Sequence, residues 1–98
     1  MTIEKTTENE KVTLTVSGRL DTTTAPELEA ALDEVLENTK ELIFNLENLE
    51  YISSAGLRVI LKAQKSMNTK GSMKLTGVND SIIEVFDITG FLDILTIE

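Results

Sequence analysis

Between Lys11 and Gly18, Val12, Leu14 and Val16 alternate with Thr13, Thr15 and Ser17. A period of two predicts a half-buried strand, and the glycine predicts where it closes. Ile3 to Thr7 predicts a short partner strand, joined through the polar Glu8-Asn9-Glu10 turn. The period then changes. Leu28, Ala31, Leu32, Val35 and Leu36 recur at helical spacing. Ahead of them, Thr24-Ala25-Pro26-Glu27 reads as a capping box, with threonine at the cap, proline in the first turn and glutamate reaching back. This helix is expected to end near Asn38.

Leu42 to Leu46 is nearly all apolar, which predicts a central strand covered on both faces. Leu57, Ile60, Leu61 and Met67 mark the stripe of a second helix that stops at Lys70-Gly71. Met73 to Val78 alternates again. Ser81-Ile82-Ile83-Glu84 reads as a second capping box, leading a short stripe of Ile82, Val85 and Phe86 that stops at Gly90. Ile94 to Ile97 closes as a strand. The predicted order is ββαβαβαβ, a single α/β domain over residues 1–98 with a mixed, mostly parallel sheet and helices packed against it. Phe86, Phe91 and Leu92 are expected in the core, as are Met67 and Met73.

Composition narrows the chemistry. The 98 residues include no cysteine and no histidine, which removes disulfides, thiolate chemistry, the commonest zinc ligand and the usual general base near neutral pH. No GxxxxGK[ST] loop or GxGxxG fingerprint is present, so an enzyme or nucleotide-binding domain has little support; no cofactor is expected. No apolar run approaches the roughly 20 residues that cross a bilayer, and the polar N-terminus has no signal-peptide core. The expectation is a cytoplasmic protein without membrane insertion. A formal charge of -8 argues against direct nucleic-acid binding. That charge is uneven: residues 1–50 carry all of it, and between Tyr51 and Asn79 there are five cations and no acid.

The cationic stretch begins where small residues crowd together, at Ser53-Ser54-Ala55-Gly56. Either serine can serve as N-cap of the second helix, a role whose loss typically costs ~1 kcal/mol. Ala55 and Gly56 leave the first turn bare, and the helix dipole makes that end hospitable to an anion such as phosphate. A capped helix start with small residues for close packing accounts for the same letters.

The surrounding stretch, from Asn45 to Leu61, resembles the signature of STAS domains, the fold of bacterial anti-sigma factor antagonists. In that family an LxxLxxφDSxGL stretch, φ being apolar, links the central strand to the second helix. Asn45-Leu46-Glu47, Leu49, Tyr51-Ile52, Gly56-Leu57 and Val59-Ile60-Leu61 match it. Gly18-Arg19-Leu20-Asp21 looks like the family's G-x-L-D, and Ile83 to Leu92 looks like its VxxxFxxTGL segment. The resemblance implies a binding module without activity of its own. Unphosphorylated, it binds an anti-sigma factor serine kinase and releases the sigma factor; phosphorylation at Ser54 ends the association, and a PP2C-like phosphatase resets it. An alternative within the fold is a STAS subunit of another assembly, in lipid transport or stress signalling, without phosphorylation. Ser53 replaces the family aspartate and becomes a competing acceptor. The chain also stops at Glu98 without the C-terminal helix of many members, which implies apolar sheet surface that is open or filled by a partner subunit.

Beside Ser53, Ser54, Ala55 and Gly56, the resemblance puts Asp21 and Thr22 on the partner-binding face. Asp21 has a turn-forming role open to it as well. Arg58, Lys62 and Lys65, at i, i+4 and i+7, form either a docking surface for an acidic partner patch or a solvated face. The carboxylates from Glu27 to Glu37 read as a solubility surface.

Overall fold

The computed structural model describes all 98 residues. In order, the elements are β1 (Thr2–Glu8), β2 (Lys11–Leu20), α1 (Ala25–Leu36), β3 (Glu41–Asn45), β4 (Leu49–Ile52), α2 (Ser54–Lys70), β5 (Ser72–Thr76) and α3 (Asp80–Ile88), followed by a 3₁₀ turn over Phe91–Asp93. β1 and β2 form an antiparallel hairpin, with Asn9 at φ 57° in its tight turn. β2, β3 and β5 then run parallel in register, so that Val12, Leu42 and Met73 stand in one row and Leu14, Phe44 and Leu75 in another.

Those two rows fix where the core sits. They share one cluster of 24 buried residues with Leu28 and Leu32 of α1, Ile60 and Met67 of α2, and Ile82 and Phe86 of α3. All three helices therefore cover the same face of the sheet. The opposite face alternates out of phase and carries Thr13, Thr15, Asn45, Lys74 and Thr76, all half-buried. Only Ile43 is buried there, outside the cluster. β3 is thus not sandwiched between helical layers as its apolar run predicts. Its central position, between Thr13 and Lys74, is enough to bury Ile43.

The class of fold is as expected, but the order is ββαββαβα. Leu49–Ile52 is a strand of its own, paired parallel to the far end of β2 after a shift of register between Gly18 and Arg19. Gly18 has φ 92°, a conformation that suits glycine and lets β2 change partners there. Ile94 to Ile97 is not a full strand. It makes one parallel bridge, Leu75 to Ile97, because the 3₁₀ turn uses up the chain before it and only Leu95 is buried. Leu92 is exposed, whereas Phe91 is half-buried and its ring stacks on that of Phe86 at 6.5 Å.

Neither capping box forms. Thr24 precedes α1 with helical dihedrals and no capping bond, because its hydroxyl is turned back into the preceding loop. α3 is capped by Asn79 instead of Ser81. The Asn79 side-chain oxygen accepts from the Ile82 amide at 3.0 Å, and its amide nitrogen donates to the Leu49 carbonyl at 2.8 Å, fastening α3 to β4.

Candidate functional site

The site is built where β2 and β4 end side by side. The Ser53 amide donates to the Leu20 carbonyl at 2.9 Å, which brings the loop after β2 against the start of α2. That loop is a closed hydrogen-bonded turn. Asp21 Oδ1 accepts from the amides of Thr23 and Thr24 at 3.0 and 3.1 Å. The Thr24 hydroxyl accepts from the Asp21 amide and donates to the Arg19 carbonyl, each at 2.8 Å. The Thr24 amide, then its hydroxyl, the Thr23 amide and the Arg19 charge hold the Asp21 carboxyl below the usual carboxylate range, against the cost of desolvation. Asp21 therefore shapes the turn, and Thr22 stands exposed at its tip. Arg19 lies 3.8 Å from Asp21 Oδ2 and 4.2 Å from the centre of the Tyr51 ring, a cation–π contact beside the turn.

Small residues at the helix start have two distinct uses. Gly56 faces the sheet: a Cβ there would stand 2.6 Å from Leu20 Cγ and 2.9 Å from Ile52 Cγ1, so only glycine lets α2 come this close. Ala55 instead lies toward the surface, half-buried.

The two serines separate sharply. Ser53 is the N-cap residue by its backbone, with φ -99° and ψ 176°, yet its hydroxyl caps nothing. Its Oγ is buried without a hydrogen-bond partner. Ser54 is the first helical residue and is exposed. The first bond of the helix runs from the Leu57 amide to the Ser53 carbonyl at 2.9 Å, so the amides of Ser54, Ala55 and Gly56 stand ahead of it. No acid occupies that turn.

A cleft of about 370 Å³ opens between α1 and α2 beside this start, with Thr22 and Glu29 on one wall and Ala55, Arg58 and Lys62 on the other. Lys62 is spoken for within the chain: Nζ lies 2.9 Å from both Glu29 Oε2 and Asp33 Oδ1. Hydrogen bonds to Asp33 and then Glu29 raise its pKa above the ordinary lysine value. Two of the carboxylates on the solvated α1 surface are therefore also cross-helix partners. Their i, i+4 spacing puts them on one face of α1, but nothing local in the sequence points that face at Lys62. Arg58 and Lys65 are exposed and lack a carboxylate partner. No group of three or more potential metal ligands is present, and no helix is long and apolar enough to cross a membrane.

Fold and site define a small α/β domain with helices on one sheet face and an exposed serine at the start of its second helix. The family model for the STAS domain matches residues 2–98, and the chain belongs to that family. It is 35% identical over 97 residues to the anti-sigma-B factor antagonist of Staphylococcus aureus strain NCTC 8325, covering 97% of this chain and 90% of the relative. The anti-sigma-B factor antagonist of Staphylococcus epidermidis is 34% identical over the same shares. Among solved structures, the unphosphorylated form of the anti-sigma factor antagonist SpoIIAA superposes with a TM-score of 0.85 at 18% identity, over 99% of this chain and 88% of that one. An anti-sigma factor antagonist from Mycobacterium paratuberculosis superposes with 0.89 at 21% identity, over 98% and 83%. At such identities the likeness is one of fold.

Proposed function

We propose that this chain is an anti-sigma factor antagonist whose unphosphorylated form binds an anti-sigma factor serine kinase and so frees the sigma factor, and that Ser54 is the switch. Supporting the role are the relatives named above; supporting the switch is the contrast between the two serines. A kinase must bring a hydroxyl in line with the γ-phosphate of ATP. The exposed Ser54 can present its oxygen, while the buried Ser53 oxygen would need the helix start to open. In the reaction Ser54 Oγ bonds to the γ-phosphorus, the bond from that phosphorus to the bridging oxygen breaks, ADP leaves, and the hydroxyl proton passes to a base of the kinase. ATP and metal belong to the partner, and a PP2C-like phosphatase returns the serine by hydrolysis.

Phosphorylation adds about -1.5 to -2 charge. At a helix start with free amides the fold tolerates that charge. A partner surface fitted to a neutral hydroxyl does not, because the phosphate would have to be desolvated against it. The bound surface is proposed to comprise the turn at Asp21 and Thr22, the exposed part of Ser53 to Ala55, and Arg58, with Lys65 further along α2. Lys62 contributes less of its charge, being held by α1. Intact-mass measurement after incubation with the kinase and ATP tests the switch: wild type and Ser53→Ala gain one phosphoryl group, and Ser54→Ala gains none. A phosphoryl group on Ser54→Ala but not on Ser53→Ala would reverse the assignment.

A further inference from the structure

Arg58 follows Ser54 by four positions on α2. On a helix such residues are neighbours, with Cβ atoms about 5–6 Å apart. Side chains of a helix lean toward its N-terminus, so Arg58, which lines the cleft beside Ala55, is within reach of the turn in which Ser54 stands. An anion N-terminal to a cation is also the favourable order for such a pair. The surrounding charges leave this arginine available. Glu29, across the cleft on α1, is held by Lys62. Asp21, in the loop, is held by the Thr23 and Thr24 amides and faces Arg19. The first turn of α2 contains no acid, and Arg58 itself has no ion-pair partner.

We infer that Arg58 is an internal latch for the phosphate on Ser54: free to face a partner while Ser54 is a hydroxyl, it turns back one helical turn onto the phosphoserine. This rests on Ser54 being the acceptor. One modification then alters the surface twice, adding an anion and withdrawing the neighbouring cation. Arginine suits the task because its planar fork meets two phosphate oxygens at once.

The test installs phosphoserine at position 54 during synthesis of the full chain, so that no kinase is needed and a failed latch is distinguishable from a failed switch. Phosphorus NMR then follows the second ionisation of the phosphate, ordinarily near pH 6. With the latch, that pKa rises by about 0.3 to 0.7 in Arg58→Gln, as expected for an exposed ion pair lost, and stays within about 0.1 in Lys65→Gln, an exposed cation two turns further on. Arg58→Lys recovers only part of the shift. Equal pKa values in wild type and Arg58→Gln, or an equal rise in Lys65→Gln, would overturn the latch.

Discussion

Leu20 and Gly56 meet where no side chain fits between them: a Cβ on Gly56 would lie 2.6 Å from Leu20 Cγ. This contact seats the first turn of α2 on the ends of β2 and β4, and with it fixes the height at which Ser54 emerges. Gly56→Ala should gain up to about 1 kcal/mol of helix propensity and lose about 1–3 kcal/mol to overpacking. The expected result is a net loss of order 1 kcal/mol in urea denaturation, larger for Gly56→Val. A more stable Gly56→Ala would contradict the packing role.

Ser53→Ala should leave stability unchanged or raise it slightly. The hydroxyl is buried, caps nothing and has no partner, so its removal also removes an unsatisfied polar group, which costs about 1–3 kcal/mol when left unmade. A loss above about 1 kcal/mol would reveal a hydrogen bond at Ser53.

Asn79→Ala should be costly for an exposed residue. It removes the α3 cap and the donor to the Leu49 carbonyl together, for an expected loss of about 1–2 kcal/mol. Ser81→Ala, at the head of the capping box that the sequence predicts, should be close to neutral. Thermal or urea unfolding of the two variants decides between them.

These positions show what the sequence makes legible. The alternation from Val12 to Val16 and the stripe from Leu57 to Met67 are local, and both elements form around them, although β2 does not close at Gly18 but runs on to Leu20, where its partner is β4. The crowding of small residues at 53–56 also marks the helix start. β4 was not legible, because four residues with Glu50 and Tyr51 exposed have no period of their own and exist as a strand only by pairing with β2. The same holds for Asn79, whose second bond reaches Leu49, and for Lys62, whose partners lie on another helix. The sequence presents Ser53 and Ser54 as near equals; only the approach of Ser53 to Leu20 tells the buried hydroxyl from the exposed one.

Lys62 gives the helix pair a pH dependence with a definite sign. Its folded-state pKa is raised by Asp33 and Glu29, so the bridge stabilises fully below the ordinary lysine pKa of about 10.4 and is lost as pH rises through the folded value. Lys62→Met should therefore lower the urea midpoint at pH 7, less so in high salt, and the difference from wild type should shrink above about pH 10.4. A difference that persists undiminished at alkaline pH would assign the effect to packing of the lysine stem.

The central claim, that phosphate on Ser54 ends partner binding without unfolding the chain, is tested most directly by titrating the anti-sigma factor kinase with the same chain in its unmodified and Ser54-phosphorylated forms. Both should give the same folded circular dichroism spectrum. The unmodified form should bind, and the phosphorylated form should bind about 100-fold more weakly or not measurably, about 2.7 kcal/mol or more. Equal affinity of the two folded forms would contradict the claim.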